Sequence, residues 1–514
     1  MLALGVCLAH SAALDAQVRS SGASRWQRHV EYMAHDDRGG REPGSEGHRA
    51  APRYVAKEFK RAGLEPISEN GSFLQPVPLV SRLVEKEASS VQLRLPDRIL
   101  SLDIGEDIVL LPAGRSGRSV TADLVFGGYG IEIPSTDYSD FEDLAVESAV
   151  VLSVFGWPRY TPQPAAAYGA LFDGQRAALR RHGARGVFTT VPQPWEKTKT
   201  QFGELDMDLA DPDLALFRDV DLWGFVNPKV ASWLLGAQEW ELVAGKLRRG
   251  EDLRAFPVDG EINAKVVFQD RRLQSENIIG LAPAGGHKET PEYVVLVAHL
   301  DGYGTDQSGS GDTIFNGAMD NAAGVTTLIE AARCIAEQPE PLERSILFLI
   351  TTAEEKGMLG ARFFLASGAI PSKDIAAVLT VDTPLPLRPL TEVWGWGLAD
   401  AGLGPVAEQT AVRLGLSVNA NPPGPSLFAM GDQLVFALDG HSSALVGFGY
   451  STQDAGVRRE FFANRSHTPR DELNAGVDFE AAAEFSCYVA DLAVRIANSA
   501  QTPEWAHGSM FRKR

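Results

Sequence analysis

Five stretches of this chain set a histidine or a carboxylate at or just after the end of an apolar run or in the loop that follows, and the residue types suit a metal centre. VVLVAHLDGYG leads a strand-like run into His299 and Asp301. An imidazole is a good zinc ligand, and a carboxylate two residues on can orient the ring through its other nitrogen. NGAMDNAAGV sets Asp320 at the edge of a helix expected to begin near residue 322. Such an aspartate either caps the helix or, through its two oxygens, bridges two cations. SILFLITTAEEKGMLGARFF ends a hydrophobic strand in Glu354 and Glu355. Adjacent side chains diverge there, so one can bind metal while the other acts as a base toward water. AVLTVDTP places Asp382 at a strand end, and FFANRSHTPRDEL places His467 after a long loop and before the last helix. Taken singly, each is an ordinary turn or capping residue. In series they supply two imidazoles and three carboxylates for two zinc-like ions sharing one bridge, with a glutamate to spare. Of ten histidines only His299 and His467 have this context, and His441, between a glycine and a strand, is the reserve ligand.

These residues need elements to hold them. Apolar runs at 293–298, 345–351, 375–381 and 443–447 read as strands, and helical patterns intervene near 322–337, 359–367 and 405–414, with a long helix at 478–498. Strands alternating with helices predict an α/β fold, a mostly parallel central sheet with helices on both faces. Candidate ligands at the carboxyl ends of its strands are where such sheets bind ligands. Earlier in the chain, 45–64 reads as an amphipathic helix capped by Ser45, with Ala51, Tyr54, Val55 and Phe59 as its stripe and Gly63 as its stop. From about 86 to 263 short β-rich runs surround one helix near 165–182, and no chemical constellation is present.

At 514 residues the chain has room for two or three domains. Its net charge of −19 argues against a nucleic-acid partner, and no apolar run is long enough for a membrane span. Three cysteines give no disulfide framework. Cys334 and Cys487 lie in alanine-rich helical patterns and read as small buried side chains whose pairing the sequence leaves open. Residues 1–16 are apolar and rich in small residues, as in a signal peptide without its basic start, which predicts a secreted or periplasmic protein.

The motifs resemble the dizinc exopeptidase family that includes bacterial leucyl aminopeptidase, aminopeptidase Y and glutamate carboxypeptidase. NGAMDNAAG and AEEKGMLGA carry the resemblance most closely, with DDRGGREPGSEGHRAAPRYVAKEFKRAGLEP and SENIIG in support. It implies a discontinuous catalytic domain over 20–85 and 264–500, interrupted by a β-rich protease-associated domain over 86–263. It also implies that His299 and Asp382 hold one Zn2+, that Glu355 and His467 hold a second, and that Asp320 bridges them. Other divalent metals would fit the same ligands. Glu354 would be the general base toward a hydroxide bridging the ions, and Asp301 would orient His299. Gly302, Met319 and Thr383 depart from the family pattern at positions that are not ligands, so they bear on substrate preference. The function implied is hydrolysis of the N-terminal bond of a peptide substrate. Alternatives are a carboxypeptidase, for which Arg388, Arg458, Arg459, Arg465 and Arg470 are candidate carboxylate grips, a glutaminyl cyclase, or an inactive receptor-like module. The long excursion from Gly304 to Asp320 is expected to lie beside the metals and narrow the cleft to a chain end.

Overall fold

The computed structural model describes residues 21–513 apart from 69, 134–135, 143, 163–164, 204–205, 286–290, 307–310, 339, 450–451 and 474–475. The expected signal peptide at 1–16 lies outside the described residues. The chain divides into two compact units, Met1–Val77 with Gln274–Arg514, and Pro78–Leu273.

The first unit is built on the part of strand β1 (Phe268–Ala282) from Gln274 onward and on β2 (Tyr293–His299), β3 (Ser345–Thr351), β4 (Ile375–Val381), β5 (Glu392–Trp396), β6 (Ser417–Asn419) and β7 (Ser443–Phe448). They pair in the order β1-β3-β2-β4-β7-β5-β6. Neighbours are parallel from β3 through β2 and β4 to β7, and β1 and β5 join antiparallel. The middle strands are apolar because both faces are covered: Val294 to Ala298 and Ile346 to Ile350 are fully buried.

Alternation of side chains explains how two sets of helices are served. Val295, Val297, Leu347 and Leu349 pack with Phe364 of helix α3 (Leu359–Ser367) and with Val435 and Phe436 of α5 (Gln433–Leu438). The same strands also contact α2 (Ala323–Ala336) and α7 (Phe479–Ala497). Helix α1 (Glu46–Arg61) begins where Ser45 Oγ accepts the His48 amide at 3.1 Å, and it buries Ala51, Val55 and Phe59. Helices α2 and α7 pack on one another and are joined by a Cys334–Cys487 disulfide, so the two cysteines left open by the sequence are partners.

The second unit holds a sheet whose strands Ser119–Phe126, Val150–Val154, Gly186–Thr190 and Leu222–Val226 run parallel. The single helix expected near 165–182 is a pair, Ala165–Ala170 and Phe172–Arg181, and Trp195–Gly203, Pro228–Leu235 and Ala237–Arg249 add more. This stretch is therefore more helical than its β-rich texture suggested. Among the described residues no helix is long and apolar enough to cross a membrane.

Candidate metal centre

Three parallel strand ends, of β2, β3 and β4, deliver His299, the Glu354–Glu355 pair and Asp382 to one place in the first unit, and the segment before α2 and a loop before α7 bring Asp320 and His467 to it. His299 is the last residue of β2, opposite Thr351 of β3, and is almost fully buried. Its Nε2 lies 3.3 Å from Asp320 Oδ1 and 3.3 Å from Asp382 Oδ1, with Glu354 Oε2 at 4.0 Å. On the other side of the same aspartate, His467 Nε2 lies 3.2 Å from Asp320 Oδ2 and 3.7 Å from Glu355 Oε2. Ligand atoms of His299, Asp320 and Asp382 all fall within 4.8 Å of one another, as do those of Asp320, Glu355 and His467. The structure thus brings together every residue expected at the site, in two pockets that share Asp320 through its two oxygens. His441 is elsewhere, its Nε2 bonded to Asp439 Oδ2 at 2.8 Å and to Ser372 Oγ at 3.1 Å, so the reserve ligand is not needed.

The turns are shaped for this purpose. Ala353, Thr383 and His467 hold positive φ angles of 53°, 46° and 56°, a conformation that costs a non-glycine residue of order 1–3 kcal/mol and persists where packing enforces it. Asp301 sits beneath the Glu354–Glu355 turn, fully buried. Its Oδ1 accepts the Glu354 amide at 3.0 Å and its Oδ2 the Glu355 amide at 3.2 Å. Its carboxylate is 3.9 Å from His299 Nδ1, whereas its main-chain oxygen is 3.3 Å away. The shorter contacts therefore position both glutamates, and the ring faces the peptide carbonyl.

Three further residues support the ligands; each lies within a quoted motif, but none was read as part of the site. Asp471 accepts the Met319 amide at 3.0 Å and the Asp320 amide at 2.9 Å, clamping the shared ligand's loop. Arg41, fully buried, donates to the carbonyls of Leu300, Asn316 and Gly317 and so ties the segment after His299 to the one before Asp320. Tyr303 Oη lies 3.1 Å from His467 Nδ1. The excursion between His299 and Asp320 turns back on itself where described: Phe315 N donates to Gly304 O at 3.0 Å and Asp306 N to Thr313 O at 2.8 Å.

The electrostatics call for a cation. Burial raises the Glu355 carboxyl to about 7, helped by Asp320, and burial holds Glu354 well above the usual range, helped by Glu355 and Asp432. Burial lifts Asp432, beneath the site, to about 7. Burial opposes charge on His299, yet the carboxylates of Asp382 and Glu354 outweigh it and hold its pKa well above the usual value. A low-dielectric pocket with this excess of acids over bases is costly unless positive charge is supplied. Glu355 Oε1 is buried without a hydrogen-bond partner, so an oxygen stands ready for a ligand bond. Imidazole and carboxylate donors in sets of three, with space for further coordination, match catalytic zinc.

Residues 277–493 match the model of peptidase family M28. The whole fold is similar to that of an aminopeptidase from Aneurinibacillus sp. strain AM-1, with a TM-score of 0.52 at 16% identity over 95% of each chain. A zinc aminopeptidase from Bacillus subtilis gives a TM-score of 0.47 at 16% identity, covering 95% of this chain and 98% of that one. In sequence, a stretch of 122 residues is 30% identical to the alkaline phosphatase isozyme conversion protein of Escherichia coli strain K12. That match spans 22% of this chain and 33% of the relative's length. Every ligand candidate lies inside the matched segment, residues 277–493, which is similar to peptidase family M28, in keeping with the family that the motifs resemble.

Proposed function

We propose that this chain is a zinc-dependent aminopeptidase that removes single residues from the free amino end of peptides. The observation that carries the reading is Asp320, whose two oxygens face two different imidazoles at 3.3 and 3.2 Å. His299 and Asp382 would hold one ion, Glu355 and His467 the other, and Asp320 both. Ions held there supply Lewis acidity to the scissile carbonyl and to the attacking water. The chain's own residues do the rest. Glu354, buried and held with a high proton affinity, takes the proton of the attacking water and returns it to the leaving amine, a contribution of about 10²–10⁴ in rate. Asp301 fixes Glu354 through its main-chain amide, which leaves the carboxylate free of the bond that holds the turn.

An acid-rich wall favours a substrate ammonium over a carboxylate. A carboxypeptidase needs a free guanidinium, and Arg465 is engaged with the carbonyls of Arg470 and Glu472. The deciding experiment compares a peptide with its N-acetylated twin by mass spectrometry. Stepwise loss of N-terminal residues from the free peptide alone is expected. Equal cleavage of both, or release from the carboxyl end, would overturn the reading. We also infer an extracytoplasmic location, which the Cys334–Cys487 disulfide supports because such bonds persist in oxidising compartments. Recovery of the active protein only from the cytosol, with both thiols free, would refute it.

A further inference from the structure

The two imidazoles of the site are held in unlike ways. His299 is 2% exposed and enclosed at the end of a central strand, and its Nδ1 meets a main-chain carbonyl. His467 lies on a loop after helix α6 (Thr452–Asn464), and its side chain is 42% exposed. Packing alone therefore leaves this ring free to turn, and a metal ligand that turns loses affinity.

From this geometry we infer that Tyr303 is the positioning residue of the His467 pocket. It packs its ring 4.6 Å from the imidazole that completes that pocket with Asp320 and Glu355. The hydroxyl lies 3.1 Å from His467 Nδ1, so with a metal on Nε2, the nitrogen that faces Asp320 and Glu355, Nδ1 would carry the proton and donate it to the phenol oxygen. One phenol thus fixes the tautomer and the plane of the imidazole. Tyr303 is itself held. Phe315 lies against its ring at 6.1 Å, across the hairpin that carries both. Gly304, with φ +78°, would drive a Cβ into Glu42, so the turn after Tyr303 accepts only glycine without a shift. Among the described residues His299 Nδ1 is met at hydrogen-bond distance by the Asp301 carbonyl and not by a phenol, so loss of the Tyr303 hydroxyl acts on one pocket and spares the other.

This inference rests on the two-ion reading above, and the test separates the two. Zinc is titrated into metal-free wild type and Tyr303→Phe by calorimetry, with thermal melting of both as the control for folding. Phenylalanine keeps the ring contact and removes only the hydroxyl. The expected result is two ions in the wild type and, in the variant, one ion bound as before and one bound about 10–100-fold more weakly, the usual cost of removing such a partner. A cobalt-loaded sample should show the same loss as a change in one of two d–d absorption components. Two ions with unchanged affinities in Tyr303→Phe would overturn the inference alone, as would equal weakening of both. Uptake of a single ion by the wild type would overturn the two-ion reading and this assignment with it.

Discussion

Replacing Asp471 by alanine should destabilise the zinc-free chain and strip the site of metal, although Asp471 is not a ligand. It is 2% exposed, and its carboxylate accepts the amides of Met319 and Asp320 at 3.0 and 2.9 Å. Deleting it leaves two buried N–H groups unpaired, at about 1–3 kcal/mol each. Part of that loss is offset, because burial, with repulsion from Asp320, raises the Asp471 pKa to about 6, so the native chain already bears a cost for this charge. The balance places the loss near ~2–4 kcal/mol, and Asp471→Asn, which keeps one acceptor, should lose about half of that. Urea denaturation of chelator-treated protein reads the stability, and zinc titration reads the site. Both ions should bind more weakly, because the clamped residue is the one they share. An alanine variant within about 0.5 kcal/mol of wild type, the range of an ordinary surface substitution, and with full zinc content would show that the clamp does not position Asp320.

Two further outcomes follow from the same geometry. Glu354→Gln should keep normal zinc content and lose about 10²–10⁴ in kcat, since it removes the base and no ligand; wild-type turnover would mean that the wrong glutamate has been assigned. The melting temperature of the zinc-free chain should fall as pH rises from about 6.5 to 9. Glu355 and Asp432, held at about 7 by burial, and His467, held at about 9 because Glu355 and Asp320 outweigh its burial, all bind protons more tightly folded than unfolded, so each loses stability as it deprotonates. His48, lowered by burial to about 4, acts the other way only below that window, and zinc should cancel the slope. A melting temperature that stays flat or rises across the window would contradict the charge balance described for the site.

How much of this was legible beforehand depends on the kind of contact. His299, Asp320, Glu354, Glu355, Asp382 and His467 were legible because each ends an apolar run or sits in a motif, and parallel strands gather their carboxyl ends on one edge. The central strands were legible for the same reason, being apolar throughout. Asp471, Arg41 and Tyr303 were not. Their partners are main-chain groups or ligands 151, 259 and 164 residues away, and no local pattern encodes such a meeting. The Cys334–Cys487 pairing was hidden likewise, since it depends on how α2 packs against α7 across 153 residues. In the second unit, Asn227 caps the helix Pro228–Leu235 through the Lys229 amide, and Gly250 closes Ala237–Arg249 in a left-handed turn. Those local signals were present, but short strands on either side masked them.

The central claim is that one aspartate joins two metal pockets. Crystals grown with zinc and measured at the zinc absorption edge test it directly. Two anomalous peaks are expected about 3.5–4 Å apart, the separation of co-catalytic pairs, one beside His299 and Asp382 and one beside Glu355 and His467, with Asp320 between them. A single peak, or two peaks of which either fails to touch Asp320, would contradict the account.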